Sequence, residues 1–342
     1  MEGAPRVASP PAAALNATAA DYRALFAWWS RPDTTPHGPP DPPLAEALAR
    51  LLALFEHDRA RYADILEPSL CWTSRTSRTS RTSRTSRTPR TSRTPRTSHP
   101  ASLRRLSYAF PGFRADPAGT SRALRSLCAP FGDAILAQAD RLLRAAHHAS
   151  VAMPLFGVAD DEPGARRIKL YLQFEHGHGP APLALAERLL GARLLDRFPE
   201  APPLHLLGID LGDRGVLGAK LYFLHPRLHL AEAPARIGPV PLLAALAEGP
   251  CRELRDVLTI HRLEAPDDPA VSRPAEIDFA LADSGLAWTD VRPLLPPAVR
   301  AATGPLAALE AAFPLRVRGI SAPVGHADKL NLYYVLTPPP RA

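Results

Sequence analysis

Cysteine is scarce in this chain. Cys71, Cys128 and Cys251 are odd in number and widely spaced, so neither a disulfide framework nor a cysteine-built zinc site is expected. Long apolar runs are missing too, since no stretch approaches the ~20 residues that a membrane span requires. The opening Met-Glu-Gly-Ala-Pro lacks a basic n-region followed by an apolar run, so no leader peptide is expected and the chain reads as soluble and cytoplasmic. What is plentiful is proline, 40 residues in 342, most of it in the first hundred residues and in connections, where it lengthens loops and leaves most of each strand candidate intact.

Acidic residues are absent from one segment, and that absence explains the charge. The formal balance is +7, which suggests a nucleic-acid binder until the arginines are located. Arg75, Arg78, Arg81, Arg84, Arg87, Arg90, Arg93 and Arg96 lie in a single Thr-Ser/Pro-Arg repeat over 73–98, and without them the balance is −1. The rest of the protein is not basic. The repeat cannot bury apolar surface, so it is expected to be disordered. It reads as an expanded insertion in a hairpin loop, since loops tolerate added length at small thermodynamic cost. Evenly spaced arginines could also attract RNA.

A Pro/Ala-rich start, 1–17, is expected to be disordered, and 18–342 to form a single domain carrying the repeat as an insertion. Helical spacing appears over 18–30 and 44–65, the latter with Leu48, Leu51, Leu52, Phe55 and Tyr62 on one stripe. From there one theme recurs, an apolar hairpin followed by a helix. The hairpins are 68–73 with 103–110, 152–158 with 167–174, 205–210 with 219–224, 257–264 with 276–282, and 315–322 with 329–337. Helices are expected over 121–149, 183–196, 241–248 and 298–312. Ten antiparallel strands tend to curl and close, which removes their edges. The fold class is therefore α+β, a ten-strand antiparallel barrel with a polar lumen, surrounded by helices.

The lumen's chemistry comes from three short segments: Lys169-Leu170-Tyr171, Lys220-Leu221-Tyr222, and Lys329-Leu330-Asn331-Leu332-Tyr333. Strand side chains alternate faces, so the lysines, tyrosines and Asn331 share one face while the leucines point the other way. One such segment is an ordinary solvated strand face. Three in equivalent places build a pocket for a polyanion beside an apolar group, because ammonium neutralises phosphate and a phenol donates a directed hydrogen bond from a rigid ring. The leucine face must then meet the helices.

These segments, in this order, resemble the aromatic prenyltransferases of the ten-strand barrel type, most closely the dimethylallyltryptophan synthases. Glu67-Pro-Ser-Leu-Cys-Trp72 is similar to that family's first-strand pattern, and Arg105-Leu-Ser-Tyr-Ala-Phe110 to its second. Lys169-Leu-Tyr171, Gly208-Ile-Asp210 with Lys220-Leu-Tyr222, and the final Leu332-Tyr333-Tyr334 follow. The match runs from about residue 66 to the C-terminus. The pattern departs from the family at Gly218, where an arginine is common, at Ala109, where glutamate is common, and at Glu276-Ile-Asp278, where a polar-x-tyrosine pair is common. Inward-facing acids at 276 and 278 would suit diphosphate poorly.

The resemblance implies transfer of a dimethylallyl group from its diphosphate to an indole-like acceptor, without a metal ion or other cofactor. Arg105, Lys169, Lys220 and Lys329 would hold the diphosphate, with Arg104 a competing neighbour of Arg105. Tyr171, Tyr222 and Tyr333 would donate to phosphate and screen the allyl cation with their ring faces. Glu67 would orient the acceptor and take a proton. The partners implied are a small aromatic acceptor and the allyl diphosphate, with no membrane and no nucleic acid, in a monomer or homodimer. Related readings are a peptide side-chain prenyltransferase on the same barrel and an inactive barrel with an RNA-binding repeat. Asp160-Asp161-Glu162 reads as a solvated turn before Pro163-Gly164. His147 with His148, His176 with His178, and His225 with His229 lie on different elements without a supporting carboxylate pattern, so no metal site is expected.

Overall fold

The computed structural model describes residues 18–29, 42–58, 66–73, 102–162, 165–212, 215–249, 251–265, 272–303, 310–313, 315–327 and 329–336. The expected disordered start, 1–17, and all of the Arg repeat except Thr73 lie outside them. Two helices, α1 (Ala19–Trp29) and α2 (Pro42–Asp58), precede the first hairpin, β1 (Leu66–Thr73) and β2 (Ser102–Ala109). Then follow α3 (Pro117–Cys128), α4 (Asp133–Ala146), β3 (Val151–Glu162), β4 (Ala165–Phe174), α5 (Ala181–Leu190) and α6 (Leu194–Arg197). The third hairpin, β5 (Leu204–Gly212) with β6 (Gly215–His229), leads into α7 (Ala233–Ile237) and α8 (Pro241–Glu248). The chain ends through β7 (Glu253–Leu263), β8 (Glu276–Ala280), α9 (Trp288–Val291), α10 (Pro297–Ala302), β9 (Leu315–Pro323) and β10 (Lys329–Leu336).

The ten strands close into one antiparallel barrel, each beside its sequence neighbour, with β1 sealed against β10 through Ser69 opposite Tyr333. Closure leaves no unpaired strand edge. Leu170, Leu221, Leu330 and Leu332, all at most 2% exposed, lie in the core formed with the helices. Burying a leucine contributes about 1.5–3 kcal/mol, so this alternation alone fixes which strand face turns inward. Helix α4 supplies the facing stripe with Ile135, Ala139, Leu142, Leu143 and Ala146. At the start of α3, Asp116 accepts a 2.8 Å hydrogen bond from the Gly119 amide, and Pro117 follows at a position where its missing N–H costs nothing.

The structure corrects three local expectations. The helix expected over 121–149 is two helices, because Pro130 and the left-handed Gly132 (φ 96°) break it. The helix over 183–196 is likewise split at Gly191 (φ 67°). The acids Asp160, Asp161 and Glu162 do not form a turn. They end β3, whose ladder pairs Asp160 with Arg166 and Glu162 with Ala165, because the hairpin is longer than its apolar part. No helix among the described residues is long and apolar enough to cross a membrane.

Candidate active site

Moving two residues along a strand keeps the same face, so the inward residues stack in layers along the barrel axis. One layer is phenolic and acidic. Tyr171, Tyr222, Asp278 and Tyr333 line a cavity of ≈ 500 Å³ together with Glu67, and Met153, Leu155, Leu206 and Leu258 add apolar wall. Two residues nearer the N-terminal ends of the even-numbered strands lies a second layer, which is cationic. It holds Lys169, Lys220 and Arg105, with Lys329 beyond Asn331 on β10, and the carboxylates Asp210 and Glu276.

Backbone pairing sets these contacts. Lys169 is directly opposite Asp210, and its Nζ lies 3.1 Å from Oδ1. Burial pushes the Asp210 carboxyl up, but Lys169 and Lys220 beside it prevail and hold it below the usual carboxylate range. Glu276, 2% exposed, collects donors from three other strands. Its Oε1 meets Arg262 and, at 2.7 Å, the Lys329 ammonium, while Oε2 accepts from Ser321 Oγ and Asn331 Nδ2, each at 3.2 Å. Burial opposes its charge, but Lys220, Lys329 and Arg262 hold it well below the ordinary glutamate value. The inward acid of the fourth hairpin is thus wrapped in cations.

Lys220 is different. It is 8% exposed, and no carboxylate among the described residues lies within ion-pair distance of its ammonium. Burial and the like charges of Lys169, Arg262 and Arg105 outweigh the pull of Glu276 and bring it down to about 7. A buried cation without a counter-ion is costly, and an incoming anion relieves that cost. Arg105 shares this environment, which identifies it rather than Arg104 as the inward arginine of β2; the side chain of Arg104 lies outside the description.

Small residues make room for the rings. A Cβ on Gly208 would sit 2.8 Å from Cε1 of Tyr171 and 3.5 Å from Cε2 of Tyr222, and one on Gly157 would lie 3.3 Å from Tyr171. The Tyr171 ring therefore lies against bare backbone on both neighbouring strands, so closely at Gly208 that any side chain there would force the ring to move. A Cβ on Gly218 would instead meet the Leu263 carbonyl oxygen at 3.2 Å. Arg262, directly opposite Lys220 on β7, brings a guanidinium to this layer from the adjacent strand.

In the phenolic layer, burial and the nearby Glu67 carboxylate raise Asp278 to about 8, with the Tyr333 hydroxyl within hydrogen-bonding reach. Asp278 is therefore an acid held neutral at pH 7, able to donate a hydrogen bond. The sign of its linkage follows. Its folded pKa, about 8, is above the unfolded 3.8, so the folded state binds the extra proton and this contribution to stability is lost as pH rises between those values. Asp278→Asn should abolish that loss. Melting temperatures of variant and wild type, measured from pH 4 to 9, should diverge in the variant's favour and level off above about pH 8; parallel curves would show that Asp278 ionises normally.

Sequence reasoning passed over Arg262, Ser321 and His205, and it marked Asp278 only as an acid unfavourable to diphosphate. On β7 both faces are apolar, with Leu258 and Ile260 inward and Val257 outward, so alternation does not say where Arg262 points. His205 lines the cavity, stacks on His176 at 5.3 Å and is lowered to about 4, chiefly by burial, so its imidazole is neutral. Tyr222 and Tyr333 are raised well above the ordinary phenol value, first by burial, and remain protonated donors.

No protein-family model matches the chain, and a search of curated proteins finds no match. Solved structures do match. The apo form of prenyltransferase PriB superposes with a TM-score of 0.63 at 18% identity, covering 95% of this chain and 99% of that one. 6-Dimethylallyltryptophan synthase from Micromonospora olivasterospora, in complex with DMASPP and Trp, gives 0.55 at 15% identity over 87% and 98% of the two chains. 5-Dimethylallyltryptophan synthase from Streptomyces coelicolor gives 0.53 at 16% identity over 79% and 81%. At such identities the likeness is one of fold: this chain is a prenyltransferase-type barrel, ten antiparallel strands closed around a polar lumen and jacketed by helices.

Proposed function

We propose that this protein is an aromatic prenyltransferase that moves a dimethylallyl group from dimethylallyl diphosphate to an indole-like acceptor without a metal ion. The observation that carries the reading is the layering of the lumen. Among the described residues, five cationic side chains, Arg105, Lys169, Lys220, Arg262 and Lys329, gather with two carboxylates, Asp210 and Glu276, one layer from a cavity walled by tyrosines and Glu67. Positive charge in excess suits a diphosphate, and fixed lysines and arginines stabilise the departing pyrophosphate where another enzyme would use magnesium. PriB, similar in fold at 19% identity and a TM-score of 0.62, has been captured with L-tryptophan and dimethylallyl thiolodiphosphate together, which supports an allyl diphosphate and an aromatic acceptor as the pair of substrates here.

The chemistry follows from the two layers. The donor's C–O bond breaks heterolytically, pyrophosphate remains with Lys220 and its neighbours, and the allyl cation faces the rings of Tyr171, Tyr222 and Tyr333. The acceptor ring attacks that cation from the side of Glu67, a C–C bond forms, and the ring proton leaves to a carboxylate as aromaticity returns. Closed barrel walls keep water from the cation. Incubation with dimethylallyl diphosphate and a panel of aromatic acceptors, read by mass spectrometry with and without EDTA, tests the reading. A product 68 mass units heavier than an indole acceptor, roughly the mass of C5H8, is expected in both arms. Loss of turnover in EDTA would overturn the metal-free step, and no product from any acceptor would overturn the function.

A further inference from the structure

Glu276 stands where a donor's headgroup would look for its ligands. The carboxylate is 2% exposed and its two oxygens are saturated by Arg262, Lys329, Ser321 and Asn331, all on strands other than its own. It is anchored in β8 between β7 and β9, with Ile260 and Pro323 as its ladder partners, so its backbone holds the side chain on the lumen face. In an empty barrel this arrangement is useful. Without Glu276, the cations Arg262, Lys329, Lys220, Lys169 and Arg105 would face one another with Asp210 as the nearest remaining carboxylate of their layer. When an anion enters, the same carboxylate opposes it, because phosphate oxygens and Glu276 compete for Arg262 and Lys329 and repel each other at short range in a poorly solvated site.

We infer that Glu276 is a built-in counter-anion that competes with the pyrophosphate group for Arg262 and Lys329, keeping the cation layer folded when empty and weakening its hold on the headgroup after transfer. The inference rests on the donor-site reading above. It assigns opposite signs to two effects of one substitution. Removing one partner of a buried ion cluster destabilises the fold, whereas removing a fixed negative charge from an anion site tightens anion binding.

The test is calorimetric titration of the full-length protein with inorganic pyrophosphate, together with thermal melting in its presence and absence. Glu276→Gln is expected to bind pyrophosphate at least tenfold more tightly than wild type, to melt lower than wild type without it, and to gain more melting temperature from saturating pyrophosphate. Pyrophosphate binding that is unchanged or weaker in Glu276→Gln would make Glu276 a scaffold that merely positions the cations, and would overturn the inference alone. A wild-type protein that binds no pyrophosphate would overturn both the donor site and the inference. Should Glu276→Gln not fold even with pyrophosphate present, Glu276→Asp decides. Its shorter reach loosens the grip on Lys329 and should also tighten pyrophosphate binding, and equal or weaker binding would sink the idea.

Discussion

Glu67→Gln should lower prenyl transfer by roughly 100-fold or more, the usual scale for a positioned general base. The amide can still accept a hydrogen bond from an indole N–H, but it cannot take up a proton at neutral pH. Glu67 lines the cavity layer, whereas the cationic ligands proposed for the headgroup occupy the layer next to it, so pyrophosphate affinity should stay within a few-fold of wild type. The same substitution removes the negative neighbour that helps to keep Asp278 protonated, so the pKa of Asp278 should fall toward the ordinary carboxylate range. Single-turnover kinetics and pyrophosphate titration of the variant check the first two claims separately, and its melting temperature against pH checks the third. Unchanged turnover would remove Glu67 from the mechanism.

Lys220→Ala has the second large effect, again with a paired signature. An ionic hydrogen bond to phosphate is worth about 1.5–3 kcal/mol, so donor affinity should fall roughly 10- to 100-fold while acceptor affinity holds. Stability should move the other way, because the variant loses a buried ammonium for which no carboxylate among the described residues lies within ion-pair distance. In wild type the folded pKa of Lys220, about 7, lies below the unfolded 10.5, so folding releases a proton between these values and stability rises with pH across that window. The alanine variant should lack this rise. Acceptor affinity moving alone, with donor affinity intact, would overturn the assignment of Lys220 to the headgroup.

Much of this architecture is written in short-range pattern. Leu170, Leu221, Leu330 and Leu332 against Lys169, Lys220 and Tyr333 give the face of each strand, and repeated hairpins give the count that forces closure. Helix breaks at Pro130, Gly132 and Gly191 carry local signals that a long apolar period obscures. Pairing between layers is a different matter. That Arg262 and Lys329 grip Glu276, or that Asp278 lies close to Glu67, depends on register across strands distant in sequence, and alternation within a strand is blind to register. Acids at 276 and 278 look unfavourable one strand at a time. In the closed barrel one is surrounded by cations and the other is held neutral, so neither presents the bare charge its type suggests.

The seam at which the barrel closes joins the first strand to the last, with Ser69 against Tyr333 and Thr73 against Lys329. Contacts so far apart along the chain carry the largest loop-closure entropy and form late. Glu67, Lys329 and Tyr333 all lie on the two seam strands, so the lumen is completed only once β10 has been synthesised and has met β1. A chain in which β10 is missing or not yet made would therefore expose an open sheet of apolar and cationic surface rather than a weakly active enzyme, and competence would appear in one step at closure.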